Sequence, residues 1–150
     1  MQSQKWVQKV LIVEDNIPTR KLMVKYFEKA RNNKHLNCEV FEASNGKEAV
    51  AIIKREQPDL ILSDINMPDV NGYQLLNYFK KKYAKDNPYC FFCFLSASKE
   101  EKQTAFKHGA NGFVAKDEIN YFAFTLQLKT WLRLVFLERT LEIKREIAIF

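Results

Sequence analysis

The side chains able to do chemistry in this chain follow apolar runs. Residues 10–13 (VLIV) end on Glu14 and Asp15, residues 60–63 (LILS) on Asp64, residues 89–95 on Ser96, and residues 113–115 (FVA) on Lys116. Short runs without polar alternation suit strands covered on both faces. Turn and helix-starting residues come next: Asn16 and Pro18 after the first run, and Asn66, Pro68, Asp69, Asn71 and Gly72 after the second. An isolated Asp before such a loop often does no more than close an Asx-turn. Asp64 keeps other company. As parallel strands these runs would share one carboxyl edge, where open α/β sheets place their ligands. Carboxylates gathered there would raise each other's pKa unless a cation joined them. Hard oxygen ligands of this number suit Mg²⁺, which favours carboxylates together with phosphate oxygens. Lys116 adds a point charge and Ser96 a hydroxyl donor, both suited to phosphate oxygens. An Asp carboxylate can itself attack phosphorus and become an acyl phosphate, the protein supplying position and charge neutralisation.

The elements that must position these residues read in order. Pro18 sits near the first turn of a helix with Leu22, Met23, Tyr26 and Phe27 as its inner face. Residues 38–43 (CEVFEA) form a more polar strand, and Asn45-Gly46 turns it into a helix carrying Ala49, Val50, Ile52 and Ile53, closed by Pro58. Beyond Gly72, Tyr73, Leu75, Leu76 and Phe79 make another helical stripe. Residues 99–108 read as a polar helix whose inner face is Ala105 and Phe106; Gly109 and Gly112 precede the last strand, and helix resumes from Ile119. Strand and helix therefore alternate five times, which predicts an α/β fold with a mostly parallel sheet, right-handed crossovers and helices on both faces.

Bulk properties exclude several classes. A chain of 150 residues, 47% hydrophobic and 28% charged, suits one globular domain. No apolar run approaches the roughly 20 residues of a membrane span, and the start MQSQKWVQKV lacks a signal-peptide core, so a cytoplasmic protein is expected. Cys90 and Cys93 form a C-x-x-C, but i and i+3 point to opposite faces of a strand and cannot share a metal; with Cys38 they read as buried thiols. The net charge of +6 falls within residues 1–116, with 19 Lys and Arg against 13 acids, while residues 117–150 carry five of each. Lys80, Lys81, Lys82 and Lys85 read as a solvated helix end without the aromatic or Arg pattern of a nucleic-acid surface. His35 and His108, away from strand ends, read as surface or capping residues, and Asp69 as a turn residue.

Four motifs together resemble the response-regulator receiver domain of two-component signalling: VLIVEDN (10–16), DLILSDINMPDVNG (59–72), FLSAS (94–98) and GANGFVAK (109–116). The resemblance implies a doubly wound, flavodoxin-like (βα)5 fold with strand order 2-1-3-4-5. It makes Asp64 the phosphoacceptor, loaded by a sensor histidine kinase or phosphotransfer protein. It implies Mg²⁺ held by Asp15, Asp64 and the Asn66 carbonyl, with Glu14 acting through water. Ser96 and Lys116 would hold the phosphoryl group and Phe113 would be the aromatic that moves with Ser96, although burial alone allows Phe113 to be plain core. Asp117 departs from the pattern, which commonly has proline after the lysine. Such a domain is a regulatory switch rather than an enzyme, promoting only its own phosphorylation and slow dephosphorylation. The face that phosphorylation would reshape comprises helix four, strand five and helix five. A second class, the Mg²⁺-dependent phosphatases of haloacid-dehalogenase type, also uses a strand-end Asp nucleophile but wants a second Asp two residues on. Here that position is Asn66, whose amide cannot exchange a proton. A plain binding module would leave the carboxylates unexplained.

Residues 1–120 account for the receiver unit, and residues 121–150 extend its last helix as a linker or dimerisation helix. The block WLRLVFL (131–137) is six apolar in seven, too apolar for one solvated side. Phe136, Ile143 and Phe150 recur at seven, but Arg139 and Glu146 interrupt the three-spaced positions. Docking on its own domain and pairing with a second copy both answer the block. Trp131 and Phe136 are the expected anchors of a homodimer. The ending Ala148-Ile149-Phe150 leads to the expectation of a missing output domain that once followed.

Overall fold

The structure, a computed structural model, describes residues 6–149, with side chains described through Glu142. Five parallel strands form one sheet in the order β2-β1-β3-β4-β5. They are β1 (Gln8–Val13), β2 (Cys38–Ala43), β3 (Leu60–Asp64), β4 (Phe91–Ser96) and β5 (Gly112–Ala115). The helices are α1 (Ile17–Asn32), α2 (Gly46–Glu56), α3 (Gly72–Lys82), α4 (Lys102–Lys107) and α5 (Tyr121–Ile149). This is the expected α/β, doubly wound order.

Side-chain alternation along the strands splits the core into two layers. Leu11, Val13, Ile61, Phe92 and Phe94 meet α2, α3 and α4, in a cluster with Ile53, Leu75, Phe79 and Ala105. Val10, Ile12, Leu60, Leu62, Cys93 and Leu95 meet α1 and α5 through Met23, Phe27, Phe124, Leu128 and Trp131. Cys90, just before β4, and Cys93, within it, fall into opposite layers. All three thiols are free and buried. Burial pushes Cys38 up to about 11 and lifts Cys90 and Cys93 well above the usual thiol range, so they stay protonated.

Four helices start on asparagine, α5 with Asn120 accepting the Ala123 N–H at 3.0 Å. Asn16, Asn45 and Asn71 each accept, at 2.9 Å, the N–H of the residue three positions on, which satisfies an orphan donor at the start of α1, α2 and α3. At Asn71 the Gln74 side chain returns the bond, completing a capping box.

Some expectations fail on which face a residue takes. Met23, Phe27 and Ala30, at i, i+4 and i+7, fill the inner stripe of α1, and Leu22, a hundred degrees round the helix from Met23, is 43% exposed. The α4 segment begins with a 3₁₀ turn (Lys99–Glu101), leaving six α-helical residues. So short a helix lays only Ala105 on the sheet, and Phe106 is 43% exposed. Strand β4 begins at Phe91, where pairing with Leu60 starts, rather than at Tyr89.

The proximal part of α5 folds back on its own domain. Phe124, Leu128, Trp131, Leu132 and Val135 are buried at i, i+4, i+7, i+8 and i+11. The Trp131 ring lies over Gly112, where an added Cβ would stand 2.5 Å from the ring. Trp131 is thus a core residue and not the dimer anchor expected of it, whereas Phe136 is 42% exposed and meets the edge of the Trp6 ring at 6.1 Å. The heptad positions Ile143, Glu146 and Phe150 lie outside the described side chains. Among the described residues no helix is long and apolar enough to cross a membrane.

Candidate functional site

Register brings the chemistry together. Val13 pairs with Ser63, Asp64 with Leu95 and Ser96 with Ala115, so four strands end within about one residue of each other. Glu14, Asp15, Asp64, Ser96 and Lys116 therefore share one edge of the sheet.

Asp64 is the last residue of β3 and 6% exposed. Its Oδ1 accepts the Asn66 N–H at 3.4 Å, and its Oδ2 lies 3.3 Å from Lys116 Nζ. The same ammonium lies 2.8 Å from Glu14 Oε2, while Glu14 Oε1 accepts the Asn16 N–H at 3.1 Å. Glu14 is fully buried, Asp15 is exposed, and a carboxylate oxygen from each of Glu14, Asp15 and Asp64 can be chosen so that all lie within 4.8 Å of one another. Three carboxylates thus face one ammonium.

The electrostatics follow from burial. Desolvation raises the Asp64 carboxyl above its usual range, with Lys116 opposing and Asp15 adding to the rise. Burial likewise raises Glu14, opposed by its contact with Lys116 and reinforced by Asp64. For Lys116 burial would favour the neutral amine, but Glu14 and Asp64 outweigh it and hold the ammonium above its usual value. The cluster carries excess negative charge beside an open exposed carboxylate, a donor set of hard oxygens that fits a small divalent cation.

Gly72 makes the close packing of this edge feasible. Its N–H donates to Ile65 O at 2.8 Å, and a Cβ there would stand 2.4 Å from the Asp64 carbonyl oxygen. The start of α3 therefore presses against the backbone that presents Asp64, in a place only glycine fits.

Ser96 is at the edge but its hydroxyl is engaged elsewhere. Ser96 Oγ donates to Glu101 Oε2 at 2.5 Å and accepts the Ser98 N–H at 3.1 Å. Phe113 is half-buried on β5 against the α2–α3–α4 layer. Asn66 is exposed just past Asp64. Asp117 lies in a 3₁₀ turn, Lys116–Glu118, whose Glu118 pairs with Lys99 at 2.6 Å. Glu101 and Gly72 carry no sequence signal of their roles beyond polarity and turn chemistry.

Comparison with known proteins matches residues 10–120 to the response regulator receiver domain family. The chain belongs to that family. The receiver domain is 30% identical to the chemotaxis protein CheY4 of Vibrio cholerae, with a TM-score of 0.68 over 86% of this chain and 99% of that one. It shares the fold of the receiver domain of sensor histidine kinase PA1611 of Pseudomonas aeruginosa PAO1, solved with a magnesium ion coordinated in the active site cleft (TM-score 0.70, 20% identity, 85% of this chain and 98% of that one). Among longer relatives, hybrid signal transduction histidine kinase K of Dictyostelium discoideum is 35% identical over 115 residues, 72% of this chain and 9% of that protein. The nitrate/nitrite response regulator NarL of Escherichia coli K12 is 38% identical over 78 residues, 52% of this chain and 35% of that protein. The receiver thus spans a minor part of these two relatives.

Proposed function

We propose that the chain is a phosphorylation-dependent signalling switch that takes a phosphoryl group onto Asp64 from a phosphohistidine of a sensor kinase or phosphotransfer protein. One observation carries this reading: a buried carboxylate at a strand end, 3.3 Å from a lysine ammonium, with two further carboxylates beside it. In the transfer an Asp64 oxygen forms the new O–P bond as the donor's N–P bond breaks. The donor imidazole leaves with the electron pair and is protonated from solvent. Lys116 moves with the phosphoryl oxygens as charge builds on them, and Ser96 donates to one of them. Asp15, Asp64 and the Asn66 carbonyl are the groups that would hold Mg²⁺, with Glu14 behind them. Bound there, the ion neutralises phosphoryl charge.

Phosphorylation replaces the single carboxylate charge of Asp64 with a phosphoryl group carrying up to about two negative charges. Ser96, Phe113 and the face of α4, β5 and α5 respond, and residues 121–150 carry the change outward, to an output segment or a second copy. The exposed Leu134, Leu137 and Leu141, at i, i+3 and i+7 of α5, support pairing with a second chain. A cytoplasmic setting follows from the kinase donor. The phosphatase reading finds no support in the family match, and Asn66 has no carboxyl to act as acid or base.

Intact-mass measurement with Mg²⁺ and acetyl phosphate tests the acceptor. Wild type gains one phosphoryl group, Asp64→Asn gains none, and Asp15→Ala loses the Mg²⁺-dependent labelling. Equal labelling of wild type and Asp64→Asn overturns the assignment.

A further inference from the structure

Ser96 is fully buried and its hydroxyl has a single proton, which is given to Glu101 Oε2 at 2.5 Å. A hydroxyl-to-carboxylate bond of this kind is short and about twice as strong as a neutral one. Ser96 cannot donate to a phosphoryl oxygen while Glu101 holds it. The acid closes the 3₁₀ turn that leads directly into α4, so its position sets where α4 starts.

Tyr73 supplies the second half. It is the second residue of α3, half-buried, edge-on to Phe94 at 5.2 Å and stacked on His108 at 4.2 Å. Its hydroxyl is buried and has no hydrogen-bond partner among the described residues. Buried polar groups are almost always paired, so an orphaned hydroxyl calls for a partner in another state. Phe94 stands two residues before Ser96 on the same face of β4, so the Tyr73 ring and the Glu101 carboxylate flank one stretch of that strand. Burial and then the Glu101 charge raise the Tyr73 phenol above its usual value.

We infer that Glu101 is a latch with two seats: it holds the Ser96 hydroxyl in the unphosphorylated chain and passes to the Tyr73 hydroxyl when Ser96 turns to a phosphoryl group on Asp64. This rests on the acceptor reading of Asp64. The acyl phosphate adds negative charge on the Glu101 side of the edge and competes for the one Ser96 proton. Both effects drive the carboxylate off Ser96. At Tyr73 it satisfies a hydroxyl that was orphaned, so the count of unpaired donors falls as the switch is thrown. Little opposes the accompanying shift of α4, since among its residues only Ala105 is buried. Glu101 and Tyr73 are therefore positioning residues, acting through Ser96.

A double-mutant cycle tests the latch, with beryllofluoride and Mg²⁺ mimicking the acyl phosphate and amide exchange reporting the free state. Tyr73→Phe weakens beryllofluoride binding about tenfold in the wild-type background, the size of one hydrogen bond to a charged group, and has no effect in Glu101→Ala. In the free protein the Ser98 amide, which donates to Ser96 Oγ, exchanges faster in Glu101→Ala and at the wild-type rate in Tyr73→Phe. Glu101→Gln keeps the packing and an acceptor oxygen, so a merely structural role would be restored by it. The latch requires that Gln leave the Tyr73 coupling below about threefold, less than one charged hydrogen bond. An equal effect of Tyr73→Phe in both backgrounds, or an unchanged Ser98 amide in Glu101→Ala, overturns the latch alone. A wild-type chain that binds no beryllofluoride overturns the acceptor reading and the second seat with it.

Discussion

The Arg139 guanidinium lies 3.0 Å from the Asp59 carboxylate, at the sheet edge opposite Asp64. Asp59 is 4% exposed, and its other oxygen accepts the Lys9 N–H at 2.8 Å. Arg139 also donates to Asn87 Oδ1 at 2.8 Å, and Asn87 Nδ2 donates to Pro58 O at 2.7 Å. One side chain of α5 thus ties three segments beneath the sheet. Together with the Gln8 side chain on Leu132 O at 2.7 Å, this network holds the part of α5 that lies beyond Trp131.

Removing one partner of a buried pair strands the other. Arg139→Ala is expected to cost about 3 kcal/mol of unfolding free energy, because Asp59 would be left buried and charged without its cation. Chemical denaturation measures it. A loss below about 0.5 kcal/mol, the size of an ordinary surface substitution, would show that the network does not hold α5 in solution.

Much of this molecule is legible in its sequence, for a physical reason. Parallel strands buried on both faces must be written as short apolar runs, and their carboxyl ends must share an edge. Glu14, Asp15, Asp64, Ser96 and Lys116 can therefore be placed before any coordinate is known. Helix faces are less legible, because a tertiary neighbour decides them. Phe106 and Leu22 are apolar yet turned outward, since Ala105 and Met23 take the sheet-facing positions. Long-range polar pairs leave no local trace at all. Arg139 reads as an interruption of a heptad, but Asp59, 80 positions earlier, gives it a partner. Glu101 reads as one more charge on a polar helix, and only the fold brings it to Ser96.

The pH dependence of stability follows from the raised carboxyls. Burial, opposed by nearby cations or N–H groups, lifts Glu14, Asp59 and Asp64 above the usual range, while unfolded they titrate near about pH 4. Between those values the folded chain binds more protons than the unfolded one, so stability falls as pH rises through the window and levels off above it. Glu48, Glu56 and Glu100 are held below the usual range and act only at lower pH. Metal-free thermal melts from acid to neutral pH should show this decline, with a smaller slope in Asp64→Asn. That variant is expected to melt about 2–4 °C higher than wild type at neutral pH, and Mg²⁺ should stabilise wild type more. An identical slope in both chains would place the raised carboxyls elsewhere.

Gly72→Ala probes the seam behind Asp64. The added methyl would meet the Asp64 carbonyl at 2.4 Å and the Phe94 ring at 2.8 Å, and backbone cannot yield as a side-chain tip can. Overpacking of this kind costs about 1–3 kcal/mol and shifts the segment it meets. Acetyl phosphate labelling of Asp64 should slow along with the loss of stability. Full stability in the variant would contradict the close approach.

Two residues of α5 separate docking from self-association. Trp131 is 6% exposed over Gly112 and Cys93, so Trp131→Ala should cost about 3–5 kcal/mol whatever the oligomeric state. Leu137 is 42% exposed between Leu134 and Leu141, and Leu137→Lys should leave stability within about 0.5 kcal/mol. Pairing through this leucine stripe would join the α5 surface to the face that answers Asp64, so the two events should be coupled by about 5–150-fold in dimer affinity. Sedimentation at tens of micromolar should therefore show a greater mass with beryllofluoride than without it. Leu137→Lys should abolish the difference while the chain still binds beryllofluoride, with the affinity of the monomer. A wild-type monomer in both conditions would leave α5 as a helix that serves only its own domain.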